Sequence, residues 1–190
     1  MTSVKRSIIC AACIALTYVL PLFFHGIQNA GSIFCPMHIP VFICGLVCGW
    51  QYGMFCGIAG PAFSSALTGM PPITSLPAMM VELAIYGLLS GLLMKVIRTG
   101  KTYLDLYICL IISMAVGRIA AGLVKALIFA RGSYSMGVWA SAYLIECWPG
   151  IVIQLVFIPS IVYALMSAGL IPKRYRKSKE HSNDSRNEAA

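Results

Sequence analysis

Apolar residues fill this chain in runs too long and too closely spaced for a soluble core. They fall at about residues 7–24, 39–49, 51–67, 77–97, 104–130 and 141–168. A hydrocarbon core about 30 Å thick needs roughly 20 apolar residues as helix. No water inside that core can satisfy an open N–H or C=O, so such runs must be helical. Only 11% of the 190 residues are charged, against about 25% in soluble domains. The runs predict an all-α integral membrane protein with six transmembrane helices, spread over residues 1–172.

Two of the runs are short. Residues 39–49 rise only about 17 Å as helix, so 39–67 can be read as one kinked span or as two short ones. The basic residues separate these readings. With six spans and both termini cytoplasmic, Lys5, Arg6, Lys95, Arg98, Lys101, Lys173, Arg174, Arg176, Lys177, Lys179 and Arg186 all lie inside. That is eleven of the fourteen Lys and Arg residues. Five spans would put the Lys95–Lys101 loop and the tail outside, against the positive-inside bias. The net charge of +8 therefore reports orientation, and no nucleic-acid partner is expected. Residues 173–190 are basic, polar and aperiodic, and read as a disordered cytoplasmic tail with a basic start suited to anionic lipid. The N-terminus has the basic-then-apolar pattern of a signal peptide, but more apolar runs follow, so it reads as a retained first span.

Six spans place two proline-rich connections on the outer face. The first ends in Phe34-Cys-Pro-Met-His-Ile-Pro40 and the second is Thr68-Gly-Met-Pro-Pro-Ile-Thr-Ser-Leu-Pro77. Proline lacks an N–H and restrains the residue before it. Such segments either frame a polar pocket or simply punctuate helices, with Pro40 in a first turn. His38 is accordingly a candidate pocket residue or a helix-start residue.

Charges inside spans are costly and mark function by default. Four stand out: Glu82, Arg118, Lys125 and Glu146. Arg118 stands about 20 Å along span five and Lys125 about 30 Å along it, which puts both in the outer half with Glu82 and Glu146. Arg118 and Lys125 share a helix face, as do Glu82 and Tyr86. Glu146, Gly150 and Gln154 form another stripe, beside Trp148. The four charges either neutralise one another as buried pairs or line a pocket in which Arg118 or Lys125 grips an anionic group. Tyr86, Trp139, Tyr143 or Trp148 would supply its apolar walls.

The eight cysteines lie mostly within apolar runs and lack metal-ligand spacing, so they read as small packing residues. Ala11 and Ala15, Gly45 through Gly57 at every fourth position, and Gly87 and Gly91 let helices approach closely. They serve internal packing or a partner subunit. No phosphate-binding loop, His-Glu-x-x-His or Gly-x-Ser-x-Gly motif occurs.

The run Phe34–Pro72, FCPMHIPVFICGLVCGWQYGMFCGIAGPAFSSALTGMPP, resembles the substrate-binding S components of energy-coupling factor (ECF) transporters. So do the six short spans, the Ala11-x-x-x-Ala15 motif and the chain length. The resemblance covers about residues 1–170. It implies a multi-pass protein of a prokaryotic cell membrane that captures a vitamin or related micronutrient from outside. The protein would dock through Ala11 and Ala15 on a membrane coupling subunit carried by two ATPases, which hydrolyse ATP. No cofactor and no enzymatic activity of its own are implied. The substrate site would lie under the loop after span one and among spans four to six, with His38, Glu82, Tyr86, Arg118, Lys125, Glu146 and Trp148 as its candidates. The Pro-Met-His-Ile-Pro and Thr-Gly-Met-Pro-Pro patterns resemble those of family members assigned to small carboxylated vitamins such as niacin or pantothenate. A self-contained secondary carrier and an intramembrane enzyme using Glu82, Glu146 or His38 are the alternatives. The lack of a clear inverted repeat speaks against the carrier.

Overall fold

The computed structural model describes residues 2–23, 34–128, 147–172 and 175, with the side chains of 127 and 128 excepted. Six helices carry the described chain: α1 (Ser3–Phe23), α2 (His38–Cys48), α3 (Trp50–Thr68), α4 (Leu76–Val96), α5 (Thr102–Ile128) and α6 (Trp148–Ser167). They fall on the six apolar runs, within a few residues wherever both ends are described. Four of them, α1, α4, α5 and α6, are long and apolar enough to cross a membrane. The eleven residues of α2 rise only about 17 Å.

Local chemistry sets the ends of these helices. Pro40 sits in the first turn of α2, Pro77 in that of α4 and Pro149 in that of α6, where a missing N–H costs nothing. Gly49, at φ 100°, separates α2 from α3. Gly69 closes α3 in the left-handed conformation, which glycine adopts without a Cβ penalty. The second proline loop is stapled to the end of α3: Ser64 Oγ donates to Met70 O at 2.8 Å and Ser65 Oγ to Pro71 O at 2.9 Å.

In the bundle, α4 lies between α3 and α5, and α2 touches α1, α3, α4 and α6. The core is built from Val41, Phe42, Leu83, Tyr86, Leu106, Leu110, Ile158 and Val162. Glycine backbone makes the centre possible. A Cβ on Gly53 or on Gly87 would run into the other's backbone, and one on Gly57 would meet Leu83 backbone. The four-residue glycine spacing thus serves packing inside one chain. Gly87→Ala is expected to destabilise the fold by about 1–3 kcal/mol, the usual cost of overpacking. Thermal unfolding of the purified variant measures this, and an unchanged midpoint would contradict the tight α3–α4 contact.

Cys10, Cys13, Cys44, Cys48 and Cys56 are all buried where α1, α2 and α3 meet. The Cys10 and Cys48 thiols donate to Tyr52 O and Arg6 O. They pack as thiols, as expected of small apolar side chains. The outward faces of the long helices are apolar, with Ile111, Ile119, Leu123, Val152, Val156 and Phe157 exposed, as lipid contact requires. Where α5 begins, Asp105 is buried and accepts from Thr99 N–H at 2.9 Å, Thr99 Oγ1 at 2.6 Å and Tyr175 OH at 2.7 Å. That carboxylate ties the α4–α5 turn to the chain beyond α6, and it also suits the positive end of a helix dipole.

Candidate functional site

A polar cluster is buried where α2, α4 and α6 begin, at the opposite end of the bundle from Asp105. His38 opens α2. Glu82 and Tyr86 stand one turn apart on α4, Arg118 lies on α5 and Gln154 on α6. His38, Glu82 and Arg118 are 3%, 6% and 5% exposed, and Tyr86 and Gln154 are fully buried. Burial this deep requires compensation, because an unpaired charge or polar group in an apolar interior is expensive.

Glu82 is the hub. Tyr86 OH donates to Glu82 Oε1 at 2.6 Å, and His38 Nε2 stands 3.6 Å from the same oxygen. Arg118 lies within electrostatic reach of Glu82 and Tyr86. The His38 and Tyr86 rings are 5.3 Å apart, and Phe42 stacks on Tyr86 at 4.8 Å. Tyr86 has room because Gly117 faces it: a Cβ there would overlap the phenol ring. Gly117→Ala should therefore push Tyr86 off Glu82 and weaken whatever the site binds several-fold, about 1 kcal/mol for one hydrogen bond. A binding titration checks it, and unchanged affinity would show that the Tyr86–Glu82 bond is dispensable.

The loop before α2 closes the cluster. Cys35 adopts φ 46°, a left-handed conformation rare for a residue with a Cβ. Its carbonyl accepts the His38 N–H at 3.1 Å and Gln154 Nε2 at 3.4 Å, so α2 and α6 hold the strained residue from two sides. Hydrogen-bonding contact with Cys147, followed by burial, pushes the Cys35 thiol well above its usual range. It is therefore a protonated thiol. Among the described residues no group of His, Cys, Asp and Glu is arranged to hold a metal ion.

His38, Glu82, Tyr86 and Arg118 are thus brought together. Lys125 is half-buried, seven residues or about 10 Å further along α5. Trp148 is exposed at the start of α6 and stands outside the cluster. Glu146, Trp139 and Tyr143 lie outside the described residues. Ala11 and Ala15 are both exposed on α1, one turn apart. Cys35, Phe42 and Gly117 enter the site without having been singled out for it, and Gln154 enters from the Glu146–Gly150–Gln154 stripe. Only Gln154 carries a signal, as a lone amide in an apolar run. The arrangement offers a carboxylate, an imidazole, a phenol and a guanidinium in a dry setting. A guanidinium there is suited to gripping a carboxylate or similar anion through paired hydrogen bonds.

A family model described as "ECF transporter, substrate-specific component" matches residues 5–171. No curated protein and no solved structure matches the chain.

Proposed function

Because the chain belongs to the substrate-specific components of ECF transporters, we propose that it captures a small, carboxylated vitamin or related micronutrient from outside the cell. Components of this family serve membrane transport and substrate binding, and they are not enzymes. The observation that carries the reading is the buried cluster of His38, Glu82, Tyr86 and Arg118, with Arg118 receiving the substrate's acidic group. With six spans, α2 and α3 counted as two short ones, and both termini cytoplasmic, the cluster falls in the outer half of the bilayer. The distribution of Lys and Arg supports that orientation.

Substrate-specific components of this family work with a membrane coupling subunit and ATPases, and that membership supports import driven by two partner ATPases acting through such a subunit. The exposed small residues Ala11 and Ala15 on α1 support docking there. The setting is the plasma membrane of a prokaryotic cell. Calorimetric titration of the purified protein with carboxylated vitamins, with mass spectrometry of any co-purified ligand, tests capture. A protein that binds none of them and carries no ligand would refute the reading. Uptake into proteoliposomes is expected only when the coupling subunit and ATPases are present. Uptake by this chain alone would identify a self-contained carrier instead.

A further inference from the structure

We infer that the substrate is an acid which also carries N–H or O–H donors, and that these go to Gln154 Oε1 and His38 Nδ1. The inference rests on reading the cluster as the substrate site. It starts from two acceptors that the fold leaves unused. Among the described residues, His38 Nδ1 and Gln154 Oε1 are buried and make no hydrogen bond. Buried polar atoms are nearly always paired, and an unmet one costs about 1–3 kcal/mol. A binding site can carry that cost when the ligand supplies the missing partner.

The orientation of both groups follows from their neighbours. Gln154 Nε2 donates to the Cys35 carbonyl. Reversing the amide would set two oxygens against each other, so Oε1 is the end left over. His38 presents Nε2 to Glu82 Oε1, which places the ring proton on Nε2. With the ring uncharged, that tautomer keeps a lone pair on Nδ1. Protonating His38 would convert Nδ1 to a donor, but Oε1 of Gln154 is an acceptor in every state. The Cys35 carbonyl receives both the Gln154 amide and the His38 main-chain N–H, so the two acceptors flank one turn.

The site is therefore two-sided. Acceptors sit on α2 and α6, and guanidinium donors sit on α5. An acid whose remaining polar atom is a bare ring nitrogen would bring a lone pair to Oε1. A site built to hydrogen-bond a substrate N–H or O–H strongly rejects the analogue that lacks it. An acid bearing hydroxyl or amide donors satisfies both sides at once.

The test uses the purified full-length protein. Pantothenate, a carboxylate with hydroxyls and an amide N–H, is titrated against nicotinate, a carboxylate with a bare ring nitrogen. Any acid that co-purifies is extracted and identified. The expected result is that the tighter probe, and the extracted acid, carry donors, and that Gln154→Leu weakens their binding by about tenfold, one hydrogen bond's worth. Tighter binding of nicotinate, an extracted acid without donors, or wild-type affinity in Gln154→Leu would overturn the inference. The ligand comparison needs no variant, so it stands even if Gln154→Leu folds poorly. Nicotinate binding that depends on Arg118 would sink the donor requirement and leave the substrate site standing. Absence of any bound acid would sink both.

Discussion

Arg118→Ala is expected to weaken substrate binding about 100-fold, equivalent to about 2.8 kcal/mol, while the protein stays folded. A hydrogen bond to a charged group contributes roughly 1.5–3 kcal/mol, and a guanidinium makes two in parallel to a carboxylate. The fold survives because Glu82 keeps its other neighbours: Tyr86 OH at 2.6 Å and His38 Nε2 at 3.6 Å. Arg118→Lys should recover only part of the affinity, since it restores the charge without the planar fork. Calorimetry and thermal unfolding measured together decide the matter. A variant that unfolds would make Arg118 a structural counter-charge to Glu82, because removing one member of a buried pair can cost about 3–5 kcal/mol. Unchanged affinity would place the acidic group elsewhere.

Ala15→Trp is expected to abolish transport and leave substrate binding as it was. Ala11, Ala12, Ala15 and Leu16 are exposed on α1, while the inner face of that helix buries Cys10, Cys13 and Thr17. No residue of α1 belongs to the His38–Glu82 cluster. An indole at position 15 would hold a docking helix away from a surface that small residues keep close. Lipid alone would accept the indole, because acyl chains rearrange around it. Normal uptake by Ala15→Trp in proteoliposomes with the complete transporter would therefore show that this face meets lipid rather than the coupling subunit. Loss of substrate binding would show that α1 shapes the site after all.

The readable part of this protein is local. Apolar runs had to become helices, and the breaks between them carry proline or glycine: Pro40, Gly49, Gly69, Pro77. The boundary at Gly49 shows why 39–49 and 51–67 form two helices rather than one kinked one. A φ of 100° interrupts the hydrogen-bond ladder there. Buried charge was readable too, because Glu82 and Arg118 stand out in apolar helices and such residues cannot face lipid cheaply. Trp148 shows what spacing leaves open: its position near the Gly150–Gln154 stripe says nothing about its direction, and the residue is exposed.

The chain's own chemistry dictates the helices, their ends and the short set of charged residues that must be compensated, because each depends on neighbours a few positions away. Tertiary packing alone decides which compensations are made. His38, Glu82, Arg118 and Gln154 come from four helices, up to 116 positions apart, and meet only because glycine backbone lets α2 and α3 press against α4. Gly117 leaves the space for Tyr86, and Cys35 turns in a left-handed conformation so that one carbonyl joins α2 to α6. No sequence spacing encodes that meeting, since hydrogen bonds between distant side chains exist only once the helices have docked.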